Sequence, residues 1–209
     1  MNMHFEPKEM EAVAQARDSF SGRLLTDAQF NDFVAVSGIL ESEIRQTGTF
    51  KEKLTDYSHA LARTSNMDAM KAETTLRDIF RARTGQTMNQ LREELIENEE
   101  KLPEEARDYA REMVKQTGEA IKHGDKMPFY RAYDHHAGEM AQEFNITNVG
   151  ARRVMNEVFR EERDSELRDW GKELEEKYYR PQIEAEKQER QSQSRSKPGR
   201  SRSRTRQPA

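Results

Sequence analysis

Cysteine is absent from all 209 residues of the chain. That excludes a disulfide framework, a thiolate nucleophile and any zinc site built on cysteine, and it fits a reducing compartment. Hydrophobic residues make up only 33% of the chain, so the core must be thin. The longest apolar stretch, "FVAVSGIL" at 33–40, is far short of the ~20 residues that span a bilayer, so no membrane insertion is expected. The N-terminal "MNMHFEPKEMEAV" has neither a basic n-region nor an apolar h-region, and no Sec signal is expected there. A phosphate loop, a GxGxxG turn and a nucleophile elbow are missing too, which argues against an enzyme and against a bound cofactor.

Charge is what the chain has in excess: 35% of its residues are Asp, Glu, Lys or Arg. The charge is also unevenly placed. From Lys187 onward eight Lys/Arg face the single acid Glu189, a net of +7, so with a total of -4 the preceding 186 residues carry -11. An acidic body trailing a basic arm marks an interaction tail. Ser, Gly, Pro and Gln fill the arm, and nothing in it offsets the entropy of ordering, so 181–209 are expected to be disordered.

The body reads as one helix after another. Capping boxes stand at Thr26/Gln29, Thr49/Glu52 and Thr87/Gln90, each ahead of an apolar run at helical spacing. In the first, Phe30, Phe33, Val34, Ile39, Leu40 and Ile44 form a stripe that ends at a capping Gly48. Further helices are expected at about 50–64, 67–83, 88–101, 103–123, 128–144 and 148–179. No alternating pattern is long enough for a strand. The fold class is all-α: an irregular multi-helix bundle with a long C-terminal helix and a disordered basic tail. Its expected regions are 1–101, 102–180 and 181–209.

His135, His136 and Glu139 are the nearest approach to a metal cluster. Adjacent helical residues point about 100° apart, and only His135 and Glu139 share a face, so a solvated helix surface and no metal is the expectation. Tyr178 and Tyr179 invite comparison with the paired nucleophiles of DNA relaxases. Without a histidine-ligated metal beside them they read as amphipathic residues closing the last helix against Pro181.

The stretch "EMAQEFNITNVGARRVMNEVF" at 139–159 resembles the helix-turn-helix family. Met140, Ala141 and Phe144 fill the apolar slots of the first helix, Asn145 takes the tight turn, and Ile146, Ala151 and Val154 continue the pattern. Asn tolerates the left-handed turn almost as Gly does. The resemblance implies that the second helix enters the major groove and presents Thr147, Asn148, Arg152, Arg153 and Asn156 to DNA. Charge opposes this: 128–159 carry -1 and 160–177 carry -3, whereas duplex binding draws on phosphate neutralisation.

The tail "RSKPGRSRSRTRQPA" has a second resemblance. Arg195, then Arg202, Arg204 and Arg206, with Arg200 extending the ladder backward, is similar to the C-terminal export signal of Agrobacterium-type type IV secretion and conjugation substrates. That pattern places seven residues after the first arginine, and this chain places six. A nuclear or Ser-Arg repeat tail and a nucleic-acid arm are further uses of the same ladder. The export resemblance implies a non-enzymatic protein of a DNA-transfer system, made in the bacterial cytoplasm and translocated to a recipient cell. It implies a type IV coupling protein or secretion chaperone as partner, with DNA as a second partner through the helix-turn-helix and tail. The alternatives are a cytoplasmic helix-turn-helix regulator and a protein-interaction module or antagonist acting through its charged helices.

Overall fold

A computed structural model describes residues 14, 16–18, 24–123, 127–163 and 165–195. Among these residues there are helices and connecting turns and no strand, as the sequence pattern requires. The helices are α1 (Asp27–Thr47), α2 (Lys51–Ser65), α3 (Ala69–Thr84), α4 (Met88–Glu100), α5 (Glu104–Lys122), α6 (Phe129–Glu143), α7 (Asn148–Arg163), α8 (Leu167–Leu174) and α9 (Arg180–Arg195), with a π-helical turn, Glu175–Tyr179, joining the last two. Buried apolar side chains gather in two clusters, one from Ala16 to Leu95 and the other from Ala106 to Leu174. The first is built by α1–α4. The second centres on α5, α6 and α7, which all pack on one another.

Helix α1 shows how the sequence sets these faces. The Thr26 side chain accepts from the Gln29 amide while Gln29 reaches back to the Thr26 amide, and Gly48 stops the helix at φ 70°. Phe30, Phe33, Val34, Leu40 and Ile44 are buried as expected, but Ile39 is exposed and Ser37 takes its place inside. The Ser37 hydroxyl donates to the Val34 carbonyl and accepts from Arg83 at 3.0 Å, and Arg83 also pairs with Glu41. A polar residue is thus satisfied in the core by local back-bonding and a reaching guanidinium. The Thr87/Gln90 box is present, while the Thr49/Glu52 box is not. Helix α2 starts instead from the buried Phe50, because docking that ring in the core fixes the backbone at the cap position. Asp68, at the head of α3, accepts from the Lys71 amide at 2.8 Å.

Two expectations fail at the C-terminal end. The single helix foreseen over 148–179 is broken between Arg163 and Leu167, where Glu166 is extended. A straight helix would carry Trp170 and Leu174 away from the core. The break turns them back, so that Trp170 meets Phe159 at 5.1 Å and Phe129 at 6.2 Å between ring centroids. Gly118 lies under Trp170 and Gly171 under Phe129, each too close for a Cβ. The second failure concerns Pro181, which does not end the order: α9 runs through it to Arg195, so 181–195 are helical and not tail. Proline removes an amide and presses its ring on the carbonyl four residues back. The π turn just before it, closed by an Arg180 amide bond to the Glu175 carbonyl, widens the helix where that pressure falls. Residues 196–209 lie outside the described residues, and so does the disorder expected of them. No helix among the described residues is long and apolar enough to cross a membrane.

Candidate functional site

The segment from α6 to α7 is where the sequence places its DNA-reading residues. Helix α6 ends at Glu143, Asn145 takes a positive φ of 47°, and the Thr147 hydroxyl accepts from the Gly150 amide at 2.9 Å to start α7. Met140, Ala141, Ile146, Ala151 and Val154 are all buried, and Phe144 packs edge-on against Tyr109 of α5. Three mutually packed helices with a tight left-handed turn between the last two are the local geometry that the apolar pattern of 139–159 requires.

The surroundings of that turn come from the first cluster, and no sequence motif points to them. Asn145 donates through Nδ2 to Glu94 at 2.6 Å, and its carbonyl accepts from Asn98 at 2.8 Å. Glu99 of α4 sits at the head of α7, its side chain only 12% exposed. Its Oε1 accepts from both the amide and the hydroxyl of Thr147, and its Oε2 pairs with Arg153 at 3.2 Å. A Cβ at Gly150 would overlap this carboxylate, so glycine is what lets Glu99 approach. Helix N-termini favour anions, because unpaired amides and the dipole point positive charge at them. In this fold the anion at the head of α7 is Glu99.

The other candidate residues are drawn inward in a similar way. Thr147 is buried. Arg152 pairs with Asp134 at 3.0 Å, and its carbonyl accepts from the Tyr133 hydroxyl. Burial pushes that phenol up to about 12, so it stays a donor. Asn156 lies beside the same hydroxyl, half-buried, and Asn148 is half-buried on the rim of a cleft of about 740 Å³. The cleft is also lined by Arg45, Asp134, His135, Glu139 and Asn145.

His136 is not on the solvated face the sequence suggests. It is buried against α5, with Nδ1 2.9 Å from the Thr117 hydroxyl, and burial holds its imidazole below the usual range. Tyr178 and Tyr179 are half-buried against the second cluster, on the π turn rather than at a helix end. Glu175 of the same turn accepts from the Phe129 amide at 2.7 Å and so caps α6, whose Pro128 offers no capping side chain. Of the arginine ladder, Arg195 is the last residue of α9, while Arg200, Arg202, Arg204 and Arg206 lie outside the described residues.

The described residues therefore form an all-α protein in which acidic side chains of α4 fasten the turn between α6 and α7 to the first cluster. No protein-family model, curated protein or solved structure matches it.

Proposed function

We propose that this chain is a non-enzymatic helical cargo of a bacterial DNA-transfer system, made in the cytoplasm and exported through a type IV channel by its arginine-rich end. The observation that carries the reading is α9. None of its side chains over 180–191 is buried, and its main packing partner is the π turn before it, so it adds no buried side chain there to either core cluster and ends at the first arginine of the ladder. A receptor can then grip the ladder without disturbing either core cluster. Planar guanidinium groups pair bidentately with carboxylates, so an acidic surface on a coupling protein or secretion chaperone is the chemistry that suits it.

Fusing residues 180–209 to a reporter recombinase tests this. Transfer into recipient cells is expected through a type IV system, with loss when Arg202, Arg204 and Arg206 become Ala and reduction when they become Lys. A triple-Ala reporter that moves as well as its parent refutes the export reading. The left-handed Asn145 and the buried slots around it favour a second reading, a helix-turn-helix regulator, but the carboxylate of Glu99 occupies the end of α7 that such a protein offers to DNA. Sequence-selective duplex binding that is lost in the pair Arg152→Ala, Arg153→Ala would support the second reading over the first.

A further inference from the structure

One ring nitrogen each from His135 and His136 and a carboxylate oxygen of Glu139 lie within 4.8 Å of one another on α6. Among the described residues they form the one group of three His, Cys, Asp or Glu side chains gathered this closely. His135 and Glu139 are one helical turn apart, with Nε2 3.6 Å from Oε1. The two imidazole rings are 5.3 Å apart, centre to centre.

Hydrogen bonding fixes which nitrogen of His136 is open. A threonine hydroxyl has one proton, and that of Thr117 goes to the Met113 carbonyl at 2.8 Å. Toward His136, 2.9 Å away, Thr117 therefore offers only lone pairs, and Nδ1 must be the N–H that donates. In a neutral imidazole Nε2 then carries the lone pair. This is the arrangement behind metal-bound histidines, in which one ring N–H is given to an oxygen so that the other nitrogen is oriented and basic. His123, which pairs with the exposed Glu119 of its own helix, has no further group of His, Cys, Asp or Glu gathered around it among the described residues and serves as the control.

We propose that His135, His136 and Glu139 bind a divalent transition-metal ion of the zinc class, with Nε2 of His136 as the buried ligand. Two imidazoles and one carboxylate suit zinc, cobalt or nickel better than magnesium or calcium, which take oxygen ligands. Three protein ligands leave a coordination position for water or a further donor, and His135 and Glu139 both line the cleft from which one would come. The proposal is independent of the export reading, since it concerns the helical body alone.

The test uses the untagged full-length chain titrated with Co²⁺, read by its visible absorption bands, followed by competition with Zn²⁺. One equivalent is expected, displaced by Zn²⁺ and not by excess Mg²⁺. His135→Ala and Glu139→Gln, both at exposed positions, should each weaken binding about tenfold or more while the circular dichroism stays unchanged. Thr117→Val touches no ligand atom of the ion, yet it should weaken binding by about ten- to a hundredfold by releasing the His136 tautomer. His123→Ala should have no effect. The absence of saturable Co²⁺ binding, equal binding by the Glu139→Gln protein, or an equal loss in the His123→Ala protein would overturn the site.

Discussion

Replacing Glu99 by Ala tests the joint between the two helical clusters. In the native protein its carboxylate accepts two hydrogen bonds from Thr147 and pairs with Arg153. The Thr147 bonds are shielded, since Thr147 is 3% exposed, and a hydrogen bond to a charged acceptor contributes about 1.5–3 kcal/mol. Loss of the anion at the head of α7 adds about 0.3–1 kcal/mol. Arg153 is 59% exposed, so its pair adds little: about 0.5 kcal/mol after screening. Part of the gain is offset by the cost of desolvating the carboxylate, leaving a net loss of roughly 2–4 kcal/mol for Glu99→Ala. Urea unfolding followed by circular dichroism, and by the fluorescence of Trp170 in the second cluster, should show a lower midpoint and transitions that no longer coincide. Arg153→Ala should cost about 0.5 kcal/mol or less. A double-mutant cycle should therefore couple Glu99 strongly to Thr147 and weakly to Arg153. A Glu99→Ala protein within about 0.5 kcal/mol of the parent would refute the argument that this carboxylate holds the clusters together.

Gly171→Ala should destabilise by about 1–3 kcal/mol, because the new methyl overlaps the Phe129 ring, and a thermal midpoint equal to the parent's would contradict that packing. Truncation after Arg180 should leave the midpoint nearly unchanged, since no side chain over 180–191 is buried; a large drop would mean that α9 supports the body. Acid should erase the effect of Arg107→Ala. The Arg107 guanidinium holds the Glu161 carboxyl below its usual 4.5, so their pairing stabilises above that value and is lost as the pH falls through the lowered one. Urea midpoints of parent and variant should differ near neutral pH and converge once the pH has fallen below the lowered Glu161 pKa, and a gap that persists in acid would point to packing instead of charge.

The helical elements were largely legible because their signals are local. Thr26 with Gln29, Thr87 with Gln90, Gly48 and Asn145 each dictate backbone geometry within a few residues, and the structure has all four features. The misreadings arise where a distant contact overrides the local pattern. Ile39 loses its inward place to Ser37 because Arg83, 46 residues away, satisfies the serine. Phe50 overrides the cap at Thr49 because its ring is needed in the core. The break after Arg163 answers to Phe129 and Phe159, which collect Trp170 from the far side of the turn. Pro181 misleads because a stop signal at one residue can be absorbed by a wider turn, Glu175–Tyr179, just upstream of it.

The candidate site depends on such distant contacts far more than the fold does. An apolar pattern with a left-handed asparagine specifies two helices and a tight turn equally well whether the second helix faces DNA or another part of the chain. What separates the two cases is the group that sits at the head of α7, and Glu99 lies 48 residues before Thr147. The trace it leaves in the sequence is Gly150. Glycine inside a helix is unfavourable by about 1 kcal/mol against alanine, and Gly150 of α7 stands where the Glu99 carboxylate comes too close for a Cβ. The neighbouring signs agree: Gly118 admits Trp170, and Gly171 admits Phe129. The signal is carried by Gly118, Gly150 and Gly171, whereas a Cβ at the helical Gly38 or Gly138 would meet nothing within 4 Å. Gly150 thus marks the head of α7 as an internal joint with α4, while no side chain of α9 over 180–191 is buried and His135 and Glu139 line an open cleft.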